Sequence, residues 1–91
     1  MPKIGEKKIK KIKEEVLALL YDSPMNPLFT SKIADEIIRD EEFTLKILKE
    51  LYTDGLINEI KTNQTGREFL ARRKWTLKPT VYAQYKQLIN H

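Results

Sequence analysis

The chain has 91 residues, enough for one domain and too few for two, since compact domains typically run to about 100 to 150 residues. With 41% hydrophobic residues, 33% charged residues and a formal charge of +4, it is composed to fold around one core. It has no cysteine, which excludes disulfide frameworks and thiolate zinc sites, and one histidine, His91, which removes most nucleophilic triads and histidine metal sites; no enzyme activity, cofactor or metal is expected.

From Glu6 to about Tyr21 the apolar residues Ile9, Ile12, Val16, Leu19 and Leu20 recur at spacings of three and four, the mark of one buried helical stripe. Within it Val16 to Tyr21 is the longest apolar run. Six residues fall far short of the roughly 20 that a membrane helix needs or the 7 to 15 of a signal-peptide core, so no membrane contact and a cytoplasmic location are expected. Asp22-Ser23-Pro24 stops the helix, and Pro27 keeps the next stretch extended, with Leu28 and Phe29 as a very short strand. Thr30 reads as an N-cap for a second helix of about eight residues bearing Ile33, Ala34, Ile37 and Ile38.

Asp40 is a second candidate cap. After it Phe43, Ile47, Leu48 and Leu51 form a third stripe that closes at Gly55, where a left-handed residue ends a helix at no steric cost. Two short helices joined by a tight turn are the plan of a helix-turn-helix, whose second member enters a DNA groove. Beyond Gly55 the period falls to two: Leu56, Asn58 and Ile60 alternate with Ile57, Glu59 and Lys61. Asn63-Gln64-Thr65-Gly66 supplies a polar turn, and Phe69, Ala71, Arg73, Trp75 and Leu77 alternate on the return, which predicts a β-hairpin of unspecified register. Pro79 suits the first position of a last helix along which Val81, Tyr82, Tyr85, Leu88 and Ile89 mark one face.

This order of elements resembles the winged helix-turn-helix fold of small transcription regulators of the ArsR and MarR types. The resemblance covers most of the chain and rests on Thr30 with Ala34, on Leu48-Lys49-Glu50-Leu51 followed by Gly55-Leu56-Ile57, and on the run Trp75-Thr76-Leu77-Lys78-Pro79. It implies an α+β, mostly helical chain: a three-helix core, a β-hairpin wing and a C-terminal helix, in one domain over residues 1–91. Residues 1–5 are expected to be a flexible start, and residues 79–91 a C-terminal helix available for dimerisation. Many turns of this kind carry glycine four residues after the alanine; here Ile38 stands there, so a longer or differently shaped turn is expected.

Charge is distributed unevenly. Residues 1 to 22 carry six Lys against four acidic groups, residues 23 to 56 four basic against seven acidic, and residues 57 to 91 seven basic against two acidic. A duplex-binding surface is therefore expected from Lys32 of the second helix, from the third-helix residues Glu42, Leu45, Lys46 and Lys49, and from the hairpin residues Gln64, Arg67, Arg72, Arg73 and Lys74. In this reading lysine and arginine anchor phosphates, Leu45 touches a thymine methyl, and Glu42 accepts from a cytosine amino group. Arginine on the wing suits the enhanced negative potential of a narrow minor groove.

Two readings compete. Asp40-Glu41-Glu42 puts three carboxylates at the start of the groove-reading helix, which repels phosphates but also stabilises a helix start through the macrodipole. The first reading is a regulator that binds double-stranded DNA as a homodimer, with Ile9, Tyr82, Tyr85, Leu88 and Ile89 at the dimer interface. The alternative is a protein-interaction module whose acidic third helix meets a basic partner.

Overall fold

A computed structural model describes residues 5–62 and 72–89. The elements follow as α1 (Glu6–Tyr21), β1 (Leu28–Phe29), α2 (Thr30–Ile37), α3 (Glu41–Thr53), β2 (Ile57–Thr62), β3 (Arg72–Leu77) and α4 (Pro79–Ile89). The expected bounds of the first helix and of the two-residue strand agree with this order; the second helix starts and ends one residue earlier than expected, and the last is described from Pro79 to Ile89. The turn Asn63–Gly66, the residues Gln64, Arg67, Phe69 and Ala71, and most of the expected flexible start lie outside the described residues. Among the described residues no helix is long and apolar enough to cross a membrane.

Helices α1, α2 and α3 each contribute a stripe to one core, and α4 packs Val81 and Tyr82 against it. Ile12, Val16 and Leu20 come from α1, Ile33 and Ala34 from α2, Ile47, Leu48 and Leu51 from α3, and the sheet adds Ile57, Trp75 and Leu77. Burying an aliphatic side chain of this size stabilises by about 1.5 to 3 kcal/mol, so this set supplies the main driving force for the fold. Thr44 is the one buried polar residue described, and its hydroxyl donates to the Asp40 carbonyl at 2.8 Å. The hydroxyl is thereby buried without an unmet donor.

The sheet has the order β1-β3-β2, with both pairings antiparallel. Ile57 faces Leu77, Glu59 faces Trp75 and Lys61 faces Arg73 in register, while β1 adds Leu28 opposite Trp75 and Phe29 opposite Lys74. Because side chains alternate across a strand, Trp75 and Leu77 point to the core and Lys74 points the other way. The register left open by the hairpin sequence is thus set by three apolar residues, Ile57, Trp75 and Leu77, that must share the buried face.

The two helices of the helix-turn-helix end by the same device. At the end of α3 the Gly55 amide donates to Tyr52 O and the Leu56 amide to Leu51 O, with Gly55 at φ 79°. At the end of α2 the Ile38 amide donates to Asp35 O and the Arg39 amide to Ala34 O, with Ile38 at φ 57°. Both are Schellman closures, in which one left-handed residue lets two amides satisfy the last carbonyls. The expectation of a longer or reshaped turn at Ile38 is corrected here: a three-residue turn is kept, and the β-branched residue adopts the left-handed backbone. Ile38 is 87% exposed, so no packing compensates for that strain at the turn.

Thr30 also differs from expectation. It is the first residue of α2, the capping position belongs to Phe29, and no side chain caps that helix. The Thr30 hydroxyl instead accepts the indole N–H of Trp75 at 2.8 Å and lies 3.5 Å from the Arg73 carbonyl. A buried indole N–H needs an acceptor more than an exposed helix start does, and it takes this one.

Candidate nucleic-acid interface

The third helix presents its outer face as the periodicity requires. Its inward stripe is Thr44, Ile47, Leu48 and Leu51, and Glu42, Lys46, Lys49 and Thr53 are exposed on the opposite side. Leu45 departs from the expectation of an exposed leucine: it is half-buried and packs against the edge of the core. Asp40 acts as the cap, its carboxylate accepting the Phe43 amide at 2.7 Å, while Glu41 and Glu42 in the first turn remain exposed. One of the three carboxylates is thereby committed to the helix start. Arg39, just before it, holds its guanidinium 5.8 Å from the Phe43 ring centre.

On the wing, alternation splits the basic run. Arg73 shares the Trp75 side of β3, where its Nε lies 3.1 Å from Glu59 Oε2. That oxygen is buried and has no aligned hydrogen-bond donor, so the contact is one of charge. Lys74 lies on the outer side, its ammonium 4.7 Å above the Phe29 ring. Arg72 holds the register position opposite Thr62, and Gln64 and Arg67 lie outside the described residues.

Two concavities flank the third helix. An open cleft of about 600 Å³ lies between the start of α2, the start of α3 and the wing, lined by Phe29, Thr30, Ser31, Glu41, Glu42, Leu45 and Arg73. A shallower groove of about 320 Å³ toward α1 is lined by Lys13, Lys46, Lys49, Glu50, Thr53 and Asp54. The expected site residues are therefore gathered in two groups: Arg73 sits with Glu42 and Leu45, and Lys46 sits with Lys49. Lys32 belongs to neither; it is exposed on α2 with its Nζ 3.0 Å from Glu36 Oε2, and that hydrogen bond and charge hold its ammonium above the ordinary 10.5.

Two charged residues that helical and strand periodicity do not mark as site residues also hold the site together. Glu59, opposite Trp75, holds Arg73, and Lys13 of α1 reaches Glu50 at 2.9 Å and Asp54 at 3.9 Å on α3. A charged residue at an inward-alternating strand position was the available signal for Glu59. Among the described residues no cluster of His, Asp or Glu side chains is arranged to hold a metal ion.

Of the expected dimer residues, Tyr82 and Tyr85 are engaged within the chain. Their ring centres lie 5.0 and 4.9 Å from that of Tyr21, clamping α4 onto the end of α1. Ile9 is half-buried against the core, Ile89 ends α4, and Leu88 is 76% exposed.

Among solved structures, the MepR–DNA complex of S. aureus superposes with a TM-score of 0.74 over 92% of this chain, at 17% identity and with 66% of the MepR chain covered. The fold is a winged helix. The zinc-responsive MarR family member ZitR of Lactococcus lactis matches with a TM-score of 0.64 at 20% identity, over 99% of this chain and 54% of its own. A small protein of Ralstonia eutropha JMP134 matches at 0.66 and 22% identity, over 86% of this chain and 94% of its own. This winged helix spans about half to two-thirds of the length of the MepR and ZitR chains. No protein-family model and no curated protein matches the sequence. In winged-helix terms α2 and α3 are the helix-turn-helix, α3 is its second member, and β2 with β3 forms the wing.

Proposed function

We propose that the chain is a small transcription regulator that binds double-stranded DNA, with α3 in the major groove and the wing on the backbone or in the minor groove. The observation that carries this reading is the state of Lys46 and Lys49: both are exposed on the outer face of α3, and among the described residues neither is ion-paired. Two unpaired cations on the groove-reading helix are what release of phosphate counterions requires. A protein of the same fold, MepR, has been solved with DNA. Five basic against two acidic residues over residues 57 to 77 add a wing of the same sign.

The remaining residues take roles within this reading. Glu42 and Leu45 stand at the entry end of α3, suited to a cytosine amino group and a thymine methyl. Lys74 supplies the outer side of the wing, and Gln64, Arg67 and Arg72 are taken as further duplex contacts, while Arg73 is held by Glu59 and Lys32 by Glu36. The working unit is a homodimer in which exposed Leu88 and neighbouring Ile89 of α4 meet a second copy; Leu88→Glu then yields monomers by light scattering.

Titration of duplex DNA by fluorescence anisotropy at several salt concentrations tests the reading. If about six phosphates are neutralised per domain, log affinity falls with log salt with a slope of about −5, and Lys46→Ala with Lys49→Ala reduces that slope by about two. Undetectable or salt-independent binding overturns it. Exposed Glu41 and Glu42 beside the wing cleft favour the second reading, a module for a basic protein partner. Reversing both to lysine strengthens nonspecific DNA binding under the first reading and abolishes partner capture under the second.

A further inference from the structure

The back half of α3 carries both signs of charge. Lys46 and Glu50 are four residues apart, and so are Glu50 and Asp54. Side chains at that spacing meet on a helix surface, so α3 alone would offer Lys46 both Glu42 and Glu50 and would set Glu50 against Asp54. The structure holds a different arrangement. Lys13, from the neighbouring α1, lies 2.9 Å from Glu50 Oε1 and 3.9 Å from Asp54 Oδ2, and its side chain is more shielded than either carboxylate. Lys46 lines the same groove and is left without an ion pair among the described residues.

We propose that Lys13 is a positioning residue: by holding Glu50 and Asp54 from α1, it keeps Lys46 of α3 free for an anionic partner. One lysine thus offsets the repulsion between two carboxylates and withdraws Glu50, one of the two carboxylates, with Glu42, that stand four residues from Lys46 along the helix. Identifying the anion as a DNA phosphate rests on the function proposed above. The capture of Glu50 does not.

Two measurements on the full chain separate these statements. In the first, Lys46 and Lys49 are acetylated by an amine-reactive ester under native conditions and their rates compared by mass spectrometry, with Lys49 as the internal reference. Lys13→Gln lowers the Lys46 rate about twofold relative to Lys49, as an ion pair at this spacing predicts; Lys13→Arg leaves it at the parent value, and adding Glu50→Gln to Lys13→Gln restores it. A Lys46 rate indifferent to Lys13, or one that stays low in the double variant, overturns the proposal whether or not DNA binds.

The second measurement is duplex affinity at low salt. Lys46→Gln weakens binding in the parent chain and weakens it about twofold less in a Lys13→Gln background, where Glu50 has already taken the lysine. Equal losses in both backgrounds overturn the coupling. A parent chain that does not bind duplex DNA overturns the functional reading instead, and the acetylation rates still decide the role of Lys13.

Discussion

The indole nitrogen of Trp75 donates to the hydroxyl of Thr30 across 45 positions of sequence, joining the middle strand of the sheet to the first residue of α2. Trp75 is 1% exposed, so its N–H has no access to solvent if this acceptor is removed. Thr30→Val keeps the shape and removes the acceptor, and is expected to lower the unfolding free energy by about 1 to 3 kcal/mol in urea titrations. Thr30→Ser retains the oxygen and should recover most of that loss.

The paired closures at Ile38 and Gly55 make a prediction of opposite signs. A left-handed backbone costs a non-glycine residue roughly 1 to 2 kcal/mol, and Ile38 makes little contact in return. Ile38→Gly is expected to raise stability by about 1 kcal/mol, or roughly 4 to 8 °C in melting temperature for a domain of this size. Gly55→Ala should lower it by about 1 to 2 kcal/mol. A Cβ at Gly55 would come no nearer than 4.0 Å to Lys78 Nζ, so that loss is a backbone effect and not a clash.

Asp40 combines a capping bond with a negative charge at the start of the proposed reading helix, and two substitutions take these apart. Asp40→Ala is expected to cost about 1 kcal/mol of stability through the lost bond to the Phe43 amide. Asp40→Asn keeps an acceptor, should leave the melting temperature nearly unchanged, and should tighten binding to duplex DNA by removing a carboxylate from its path. A tighter Asp40→Asn complex with unchanged melting distinguishes charge from structure.

Tyr21 predicts the behaviour of the α1–α4 junction in alkali. Partial burial, followed by the neighbouring Tyr82, Asp22 and Tyr85, raises its phenol above the ordinary 10.0. The unfolded chain therefore ionises this group first, so its contribution to stability is complete below about pH 10 and is lost as the pH rises above that value. Urea midpoints should fall as the pH rises above about 10, and those of Tyr21→Phe should fall less.

What the sequence made legible follows from the range of each interaction. The stripes at Ile12-Val16-Leu20 and Ile47-Leu48-Leu51, the cap at Asp40 and the closing glycine at position 55 are local, and helical period and capping chemistry reveal them. The cap expected at Thr30 is not formed because its hydroxyl serves Trp75, far along the chain. The bridge from Lys13 to Glu50 and the pairing of Glu59 with Arg73 are likewise contacts between elements, and composition says nothing of them. Ile38 could not be foreseen in a left-handed conformation, because β-branched residues ordinarily avoid it and only the need to close α2 so tightly imposes it. The separation of Arg73 from Lys74 was implicit in strand alternation, yet which of them turned inward waited on the register.

Strand β3 sits between a strand that precedes the two central helices and one that follows them. Pairing Leu28 with Trp75 ties a loop that encloses α2, α3 and β2, so these elements are bound by one knot of backbone hydrogen bonds. Loop closure of this length is entropically costly and is repaid only once the sheet and the helices it gathers are all in place. Native-state hydrogen exchange should accordingly release the amides of α2 and of the Trp75 segment together, in a single cooperative opening, whereas the last turn of α4 exchanges on its own.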